Sequence, residues 1–208
     1  MTQSDKKFSR SALVMIDVVK GMTSEGSFGV KYGKDELRYI DNTVSNIENF
    51  IHKQEKNFFS KCLIRSIYPV GKFTNDKQDA LYNLCVRDSN DIENLFPLYD
   101  NWFEVNKDEN DAMKDENFNN WLSNLNDKHV DNLYIIGFTL TSCIKETALS
   151  VANFFKKNDI NIRIILPLNL ISYRAKYSEC INNEKSIKDK VVDELKKQGI
   201  VILNNIDI

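Results

Sequence analysis

The chain reads as an α/β fold, a doubly wound, Rossmann-like three-layer sandwich built on a six-stranded parallel sheet. Short runs rich in β-branched and aromatic residues alternate with segments of helical spacing. Several of those runs are apolar on both faces, as strands covered by helices on each side must be. No Pro/Gly-rich linker divides the 208 residues, so one domain spans 1–208, with residues 1–10 expected as a flexible N-terminal arm.

In chain order, "SALVMID" (11–17) is the first strand. "GSFGVKYGKD" follows and reads as a flexible loop, because its glycines match neither G-x-G-x-x-G nor a P-loop, and Asp35 stands where the latter needs a hydroxyl. Leu37, Ile40, Val44, Ile47 and Ile51 then step by three and four along one helix face. "CLIRSI" (62–67) is the second strand and "WFEV" (102–105) the third, separated by the least regular part of the chain, 67–99. An excursion of that length is a lid or binding loop, or else a solvated insertion. Its fragment "DALYNLCV" alone has helical character. Phe118, Trp121, Leu122 and Leu125 mark a second helix, "NLYIIG" (132–137) a fourth strand, and Ala148, Val151, Ala152 and Phe155 a third helix. "IRIIL" (162–166), the helix of Ile187, Val191, Val192 and Leu195, and "GIVIL" (199–203) complete the alternation.

The totals exclude several classes. A formal charge of −2 without a basic block gives no nucleic-acid footprint. No stretch of 18 apolar residues and no apolar leader core is present, so a cytoplasmic protein with no membrane partner is expected. Cys62, Cys85, Cys143 and Cys180 form no C-x-x-C pair and are expected as free thiols, three of them as packing residues. His52 and His129 lie in a helix end and a polar turn, so neither is expected to act as a base or to ligate zinc.

Ligands of doubly wound sheets bind beyond the carboxyl ends of the strands. Asp17, Lys107 and Cys143 each stand at or just past such an end. Cys143 opens a helix, with Thr141 and Ser142 as candidate caps. There, unpaired N–H groups favour a thiolate, lowering its pKa from about 8.5 toward roughly 3.5–7.5, and the same groups can hold an oxyanion. A carboxylate closing a buried strand, as Asp17 does, needs a partner or a cleft, and Lys107 could supply the cation.

These three segments resemble the isochorismatase-like cysteine hydrolases, which include nicotinamidases and N-carbamoylsarcosine amidohydrolases. "ALVMIDVVKGM" is similar to the family's "ALLVIDVQ-x-G/D-F", "VNKDENDAM" to its "V-x-K-x-x-x-S/D-A-F", and "GFTLTSCIKETA" to its "GV-A-T-x-x-C-V-x-x-T-A". The resemblance covers about residues 11–203 in matching order. It implies a triad of Asp17, Lys107 and Cys143, a thioester route to hydrolysis of a small non-peptide amide or ureido/carbamoyl C–N bond, and a homo-oligomer acting on a small-molecule substrate.

Two departures shape what is implied. The family's Ala-Thr is Thr139-Leu140 here; the bond corresponding to Phe138–Thr139 is cis in relatives, which would set the N–H of Thr139 beside that of Cys143 in an oxyanion hole. Metal-bearing nicotinamidases resemble D-W-H-P-x-x-H after the second strand, whereas this chain reads "RSIYPVGKF", with Ser66, Tyr68 and Lys72 at or near those positions. A site with no metal and no other cofactor is therefore expected. Met22, Tyr68, Phe73, Trp102 and Phe138 are candidates to line the pocket. Two alternatives stay open: an isochorismatase-type ether or ester hydrolase, and an inactive relative that only binds a small molecule.

Overall fold

The computed structural model describes residues 8, 10–99, 101–180 and 184–207. A parallel sheet runs in the order β3-β2-β1-β4-β5-β7, six strands side by side, flanked by helices on both faces. The strands are β1 (Ser11–Ile16), β2 (Ser60–Ser66), β3 (Phe103–Lys107), β4 (Asn132–Phe138), β5 (Arg163–Pro167) and β7 (Val201–Leu203). A seventh, β6 (Ile171–Ser172), is two residues long and pairs β4 at Gly137 and Phe138, just beyond the stretch of β4 that pairs β5. It was not foreseen, because a two-residue strand has no period to read.

Strand alternation divides the core. Ala12, Val14, Ile16, Leu133 and Ile135 face α3 (Glu116–Asp127), α4 (Lys145–Lys157) and α5 (Ile187–Lys197), while Leu13, Met15 and Ile136 face α2 (Lys34–Gln54). The four amphipathic patterns read from the sequence are these four helices, because each apolar stripe must be buried against the sheet. Gly137, at φ 114°, lies so close to β1 that a Cβ there would sit 2.1 Å from the Ile16 carbonyl oxygen. That close approach joins the two strand ends from which Asp17 and Thr139 emerge.

Two local expectations change. The segment read as a flexible loop contains α1 (Ser27–Tyr32), where Phe28 and Tyr32 pack edge to face one turn apart and Lys31 pairs with Asp79. Tertiary contacts with residues 79–91, including the Ser27 N–H donating to Asp91 Oδ1, order a segment whose own propensity is poor. Within 67–99 the helical fragment is only a 3-10 turn, Ala80–Asn83. The excursion is nevertheless stitched down: Lys20 N–H donates to the Glu93 carbonyl, Leu95 N–H to the Val18 carbonyl, and Tyr68, Leu84, Cys85 and Phe96 are buried. Of the expected N-terminal arm, residues 1–7 and 9 lie outside the described residues, while Phe8 is buried and stacks on Phe58 at 4.6 Å.

Candidate active site

From β1 the chain runs outward to β2 and β3, then crosses back to β4 on the other side of β1. The carboxyl ends of β1 and β4 therefore flank the point where strand order reverses, which is where a cleft forms. Asp17 follows β1 with φ 54°, a conformation Asp tolerates better than most residues, and its N–H continues the sheet by donating to the Ile64 carbonyl at 2.9 Å. Lys107 ends β3, two strands away, roughly 10 Å at ordinary strand spacing. The lysine stem bridges that gap across its register partner Ser66.

The result is a closed network. Lys107 Nζ donates to Asp17 Oδ2 at 2.9 Å, to Ser66 Oγ at 2.6 Å and to the Glu109 carbonyl at 3.2 Å, and lies 3.3 Å from Cys143 Sγ. The Ser66 N–H donates to Asp17 Oδ1 at 2.6 Å, and its hydroxyl donates to Tyr68 Oη at 2.8 Å. The side chains of Asp17 and Lys107 are each 1% exposed. The three residues expected to form a triad thus share one buried nitrogen as their meeting point.

Electrostatics follow from that burial. Desolvation alone would lower the Lys107 pKa, but the Asp17 carboxylate and the Cys143 sulfur outweigh it and raise it, so the ammonium persists through neutral pH. Burial first, then the Asp17 charge, push the Cys143 thiol up to about 12, against the opposing pull of Lys107. Burial and the neighbouring carboxylate thus act in the opposite direction to the lowering of the thiol pKa expected from a helix terminus. The thiol has an acceptor besides the carboxylate, Asn110 Oδ1 at 3.7 Å, and Asn110 Nδ2 donates to Glu146 Oε1 at 3.3 Å.

The cap assignment also shifts. A π-helical turn, Leu140–Ile144, precedes α4, and Thr139 occupies the cap position, its hydroxyl 2.6 Å from that of Ser142; neither Thr141 nor Ser142 caps the helix. The Ile144 N–H reaches back five residues to the Thr139 carbonyl at 3.1 Å, placing Cys143 inside the first turn. The Phe138–Thr139 peptide is cis. Thr147, one turn further, accepts from the Ala112 N–H at 3.1 Å and donates to the Asn110 carbonyl at 3.4 Å, tying α4 to the loop after Lys107.

Cys143 borders a cavity of about 210 Å³. Met22, Tyr68, Phe73 and Phe138 line it as expected, with Phe73 set edge to face on Tyr68 at 4.7 Å. Trp102 does not. It precedes β3, at the opposite end of the strand from Lys107, about 16 Å away by strand rise, and packs half-buried on the α2 side of the core. Residue type suggested it; strand polarity excludes it. Asn110, Thr141, Ser142, Arg174 and Tyr177 also line the cavity and were missed. Asn110 could have been suspected from its place three residues past Lys107, but Arg174 and Tyr177 follow the unreadable β6. His52 and His129 are in neither the network nor the cavity lining, whereas Leu81 and Leu84 of the 67–99 excursion border the cavity.

The positions that resemble metal ligands hold two hydroxyls and a lysine: Ser66 accepts from Lys107 and donates to Tyr68, and Lys72 pairs with Glu109 at 3.2 Å. This donor set does not suit a divalent cation. Among the described residues no group of three or more His, Cys, Asp or Glu is arranged to hold a metal.

A doubly wound sheet of this kind has counterparts among known proteins. The family description "Isochorismatase domain" matches residues 11–154, and the chain belongs to the isochorismatase family of hydrolases. Among solved structures it is similar to the pyrazinamidase/nicotinamidase of Streptococcus mutans (TM-score 0.66, 13% identity, covering 93% of this chain and 99% of that one). It is similar also to the N-carbamoylsarcosine amidase of Thermoplasma acidophilum (TM-score 0.65, 14% identity, 96% and 98%). A nicotinamidase of Acinetobacter baumanii superposes with TM-score 0.66 at 16% identity, over 95% and 97%. At these identities the structures speak for the fold. Comparison with curated protein sequences found no match.

Proposed function

We propose that the chain is a cysteine-dependent hydrolase that cleaves the C–N bond of a small non-peptide amide or ureido/carbamoyl compound without a metal ion. The observation that carries this reading is the Lys107 ammonium in contact with both the Asp17 carboxylate and the Cys143 sulfur beside a small cavity. Asp17 takes the thiol proton as Sγ attacks the carbonyl carbon. The developing oxyanion is held by the N–H groups of Thr139 and Cys143. Asp17 passes the proton to the departing nitrogen, the C–N bond breaks, and a thioester remains. Water then gives a proton to Asp17 and its oxygen to the thioester, and the proton returns to sulfur. Lys107 stays charged throughout, holding Asp17 in place and offsetting negative charge. A cavity smaller than the roughly 300–1,000 Å³ usual for drug-sized ligands suits a small substrate rather than a peptide.

The test is intact-mass screening against primary amides, carbamoyl amino acids and ureido acids, with released ammonia measured in parallel. An acyl adduct on the wild type that Cys143→Ala lacks is expected. Cys143→Ala and Asp17→Asn should each abolish turnover while the far-UV spectrum is kept. The departure at Thr139-Leu140 favours one second reading, a relative that binds such molecules without turnover; saturable binding with neither adduct nor ammonia would establish it instead. The four free thiols support a reducing, cytoplasmic setting.

A further inference from the structure

We propose that Asn110 is the water-positioning residue of this site: its Oδ1, an acceptor for the thiol at rest, holds one hydrogen of the water that hydrolyses the thioester. This rests on the hydrolase reading above and goes beyond it by assigning a residue to the second half of the reaction. Asn110 stands three residues past Lys107 and lines the cavity. Cys143 Sγ donates to its Oδ1 at 3.7 Å, and its Nδ2 donates to Glu146 Oε1 at 3.3 Å. An ionised carboxylate only accepts, so Glu146 fixes the amide with its nitrogen outward and its oxygen toward sulfur. The backbone is held as well: Thr147 Oγ1, which accepts from the Ala112 N–H at 3.1 Å, donates to the Asn110 carbonyl at 3.4 Å. Glu146 and Thr147 both belong to α4, so the helix that follows Cys143 clamps Asn110 at side chain and main chain alike.

Acylation changes what that oxygen faces. At rest two acceptors, the Asp17 carboxylate and Asn110 Oδ1, border one thiol hydrogen. Once sulfur carries the acyl group it has no hydrogen to give, and among the described residues no other donor reaches Oδ1. An acceptor left without a donor on a partly buried wall is costly. The departing nitrogen vacates space beside the thioester, and a water that enters it brings two hydrogens to the two acceptors. Asp17 takes one as a proton; Oδ1 holds the other and so orients the water. The water oxygen forms the new C–O bond, the C–S bond breaks, and the proton on Asp17 returns to sulfur, which restores the donor to Oδ1. Asn110 itself gains and loses no proton. A neutral amide oxygen suits this place better than a second carboxylate, because another negative charge beside the thiol would oppose its ionisation.

The experiment times the two halves of the reaction separately with p-nitrophenyl acetate as the acyl donor. Release of nitrophenolate reports acylation; the acetyl adduct on Cys143, located by peptide mass and absent from Cys143→Ala, reports deacylation by its disappearance once the donor is removed. Asn110→Ala should lengthen the life of the adduct roughly three- to tenfold, the worth of one hydrogen bond, and slow acylation far less. Asn110→Asp should divide the other way: it keeps an acceptor for the water, so it should hold release closer to the wild-type rate than Asn110→Ala does, while its added charge slows acylation. A residue that only braces the loop after Lys107 would slow both steps together in both variants. That result, or an adduct that leaves Asn110→Ala as fast as it leaves the wild type, would overturn the assignment. No acetyl adduct on wild-type Cys143, or one lost no faster than from the unfolded protein, sinks the hydrolase reading, whereas wild-type release unchanged by Asn110→Ala sinks the Asn110 role alone.

Discussion

Removing the Lys107 ammonium would leave Asp17 as a buried carboxylate with a hydrogen bond from one peptide N–H and no counter-charge. Breaking such a pair from one side costs about 3–5 kcal/mol, so Lys107→Met should lower the urea midpoint by that equivalent as well as abolish turnover. The state of the thiol gives a second measurement. With its pKa pushed up to about 12, Cys143 should be alkylated by iodoacetamide at a rate that still climbs above pH 10 instead of levelling near the ordinary value. Asp17→Asn removes a charge that raises the thiol pKa, so it should speed alkylation at pH 9 even as it stops catalysis. A wild-type plateau below pH 9 would contradict the protonated resting sulfur. Asp17, Lys107 and Cys143 were legible in the sequence because each closes or follows an apolar strand, a local signature; the direction of the thiol shift was not, since it sums burial and charge contributed by distant segments.

Among the elements, β1 and β4 set the site by their closeness. Gly137→Ala would force a Cβ toward the Ile16 carbonyl at φ 114°, a conformation that L side chains rarely adopt, and should destabilise the protein by about 3 kcal/mol or more, seen as a lowered unfolding midpoint. The substitution acts beside Asp17 and Thr139, so any folded fraction should also lose activity. The amphipathic helices α2 to α5 were readable because a 3.6-residue stripe is written into consecutive positions. α1 and β6 were not: a six-residue helix between glycines and a two-residue strand exist through contacts with Asp79, Asp91 and β4, which no short window contains. Trp102 failed for a related reason, because pocket-lining depends on which end of a strand a residue occupies, not on its ring.

The molecule as a whole should be weakest in alkali. Burial raises the pKa of Cys62, Cys85 and Tyr68, and pushes that of Cys143 up to about 12. A group whose folded pKa lies above its unfolded one binds more protons when folded, so its contribution is complete below the unfolded value and is lost as pH rises through the folded one. Lys107, also raised, has the same sign. Thermal stability should therefore hold level with respect to these groups up to about pH 9 and fall between roughly 9 and 12, and Cys143→Ala should flatten part of that fall. A melting temperature independent of pH across this window would show that these groups are solvated.

Alternation of apolar runs and helical stripes was enough to specify a covered parallel sheet, because burial demands follow a period that consecutive residues carry. Three motif segments likewise marked the side chains that meet at the Lys107 nitrogen. The cavity wall and the upward push on the Cys143 thiol belong to the folded molecule alone, because charge and solvent exclusion act through space between residues that the chain order keeps far apart.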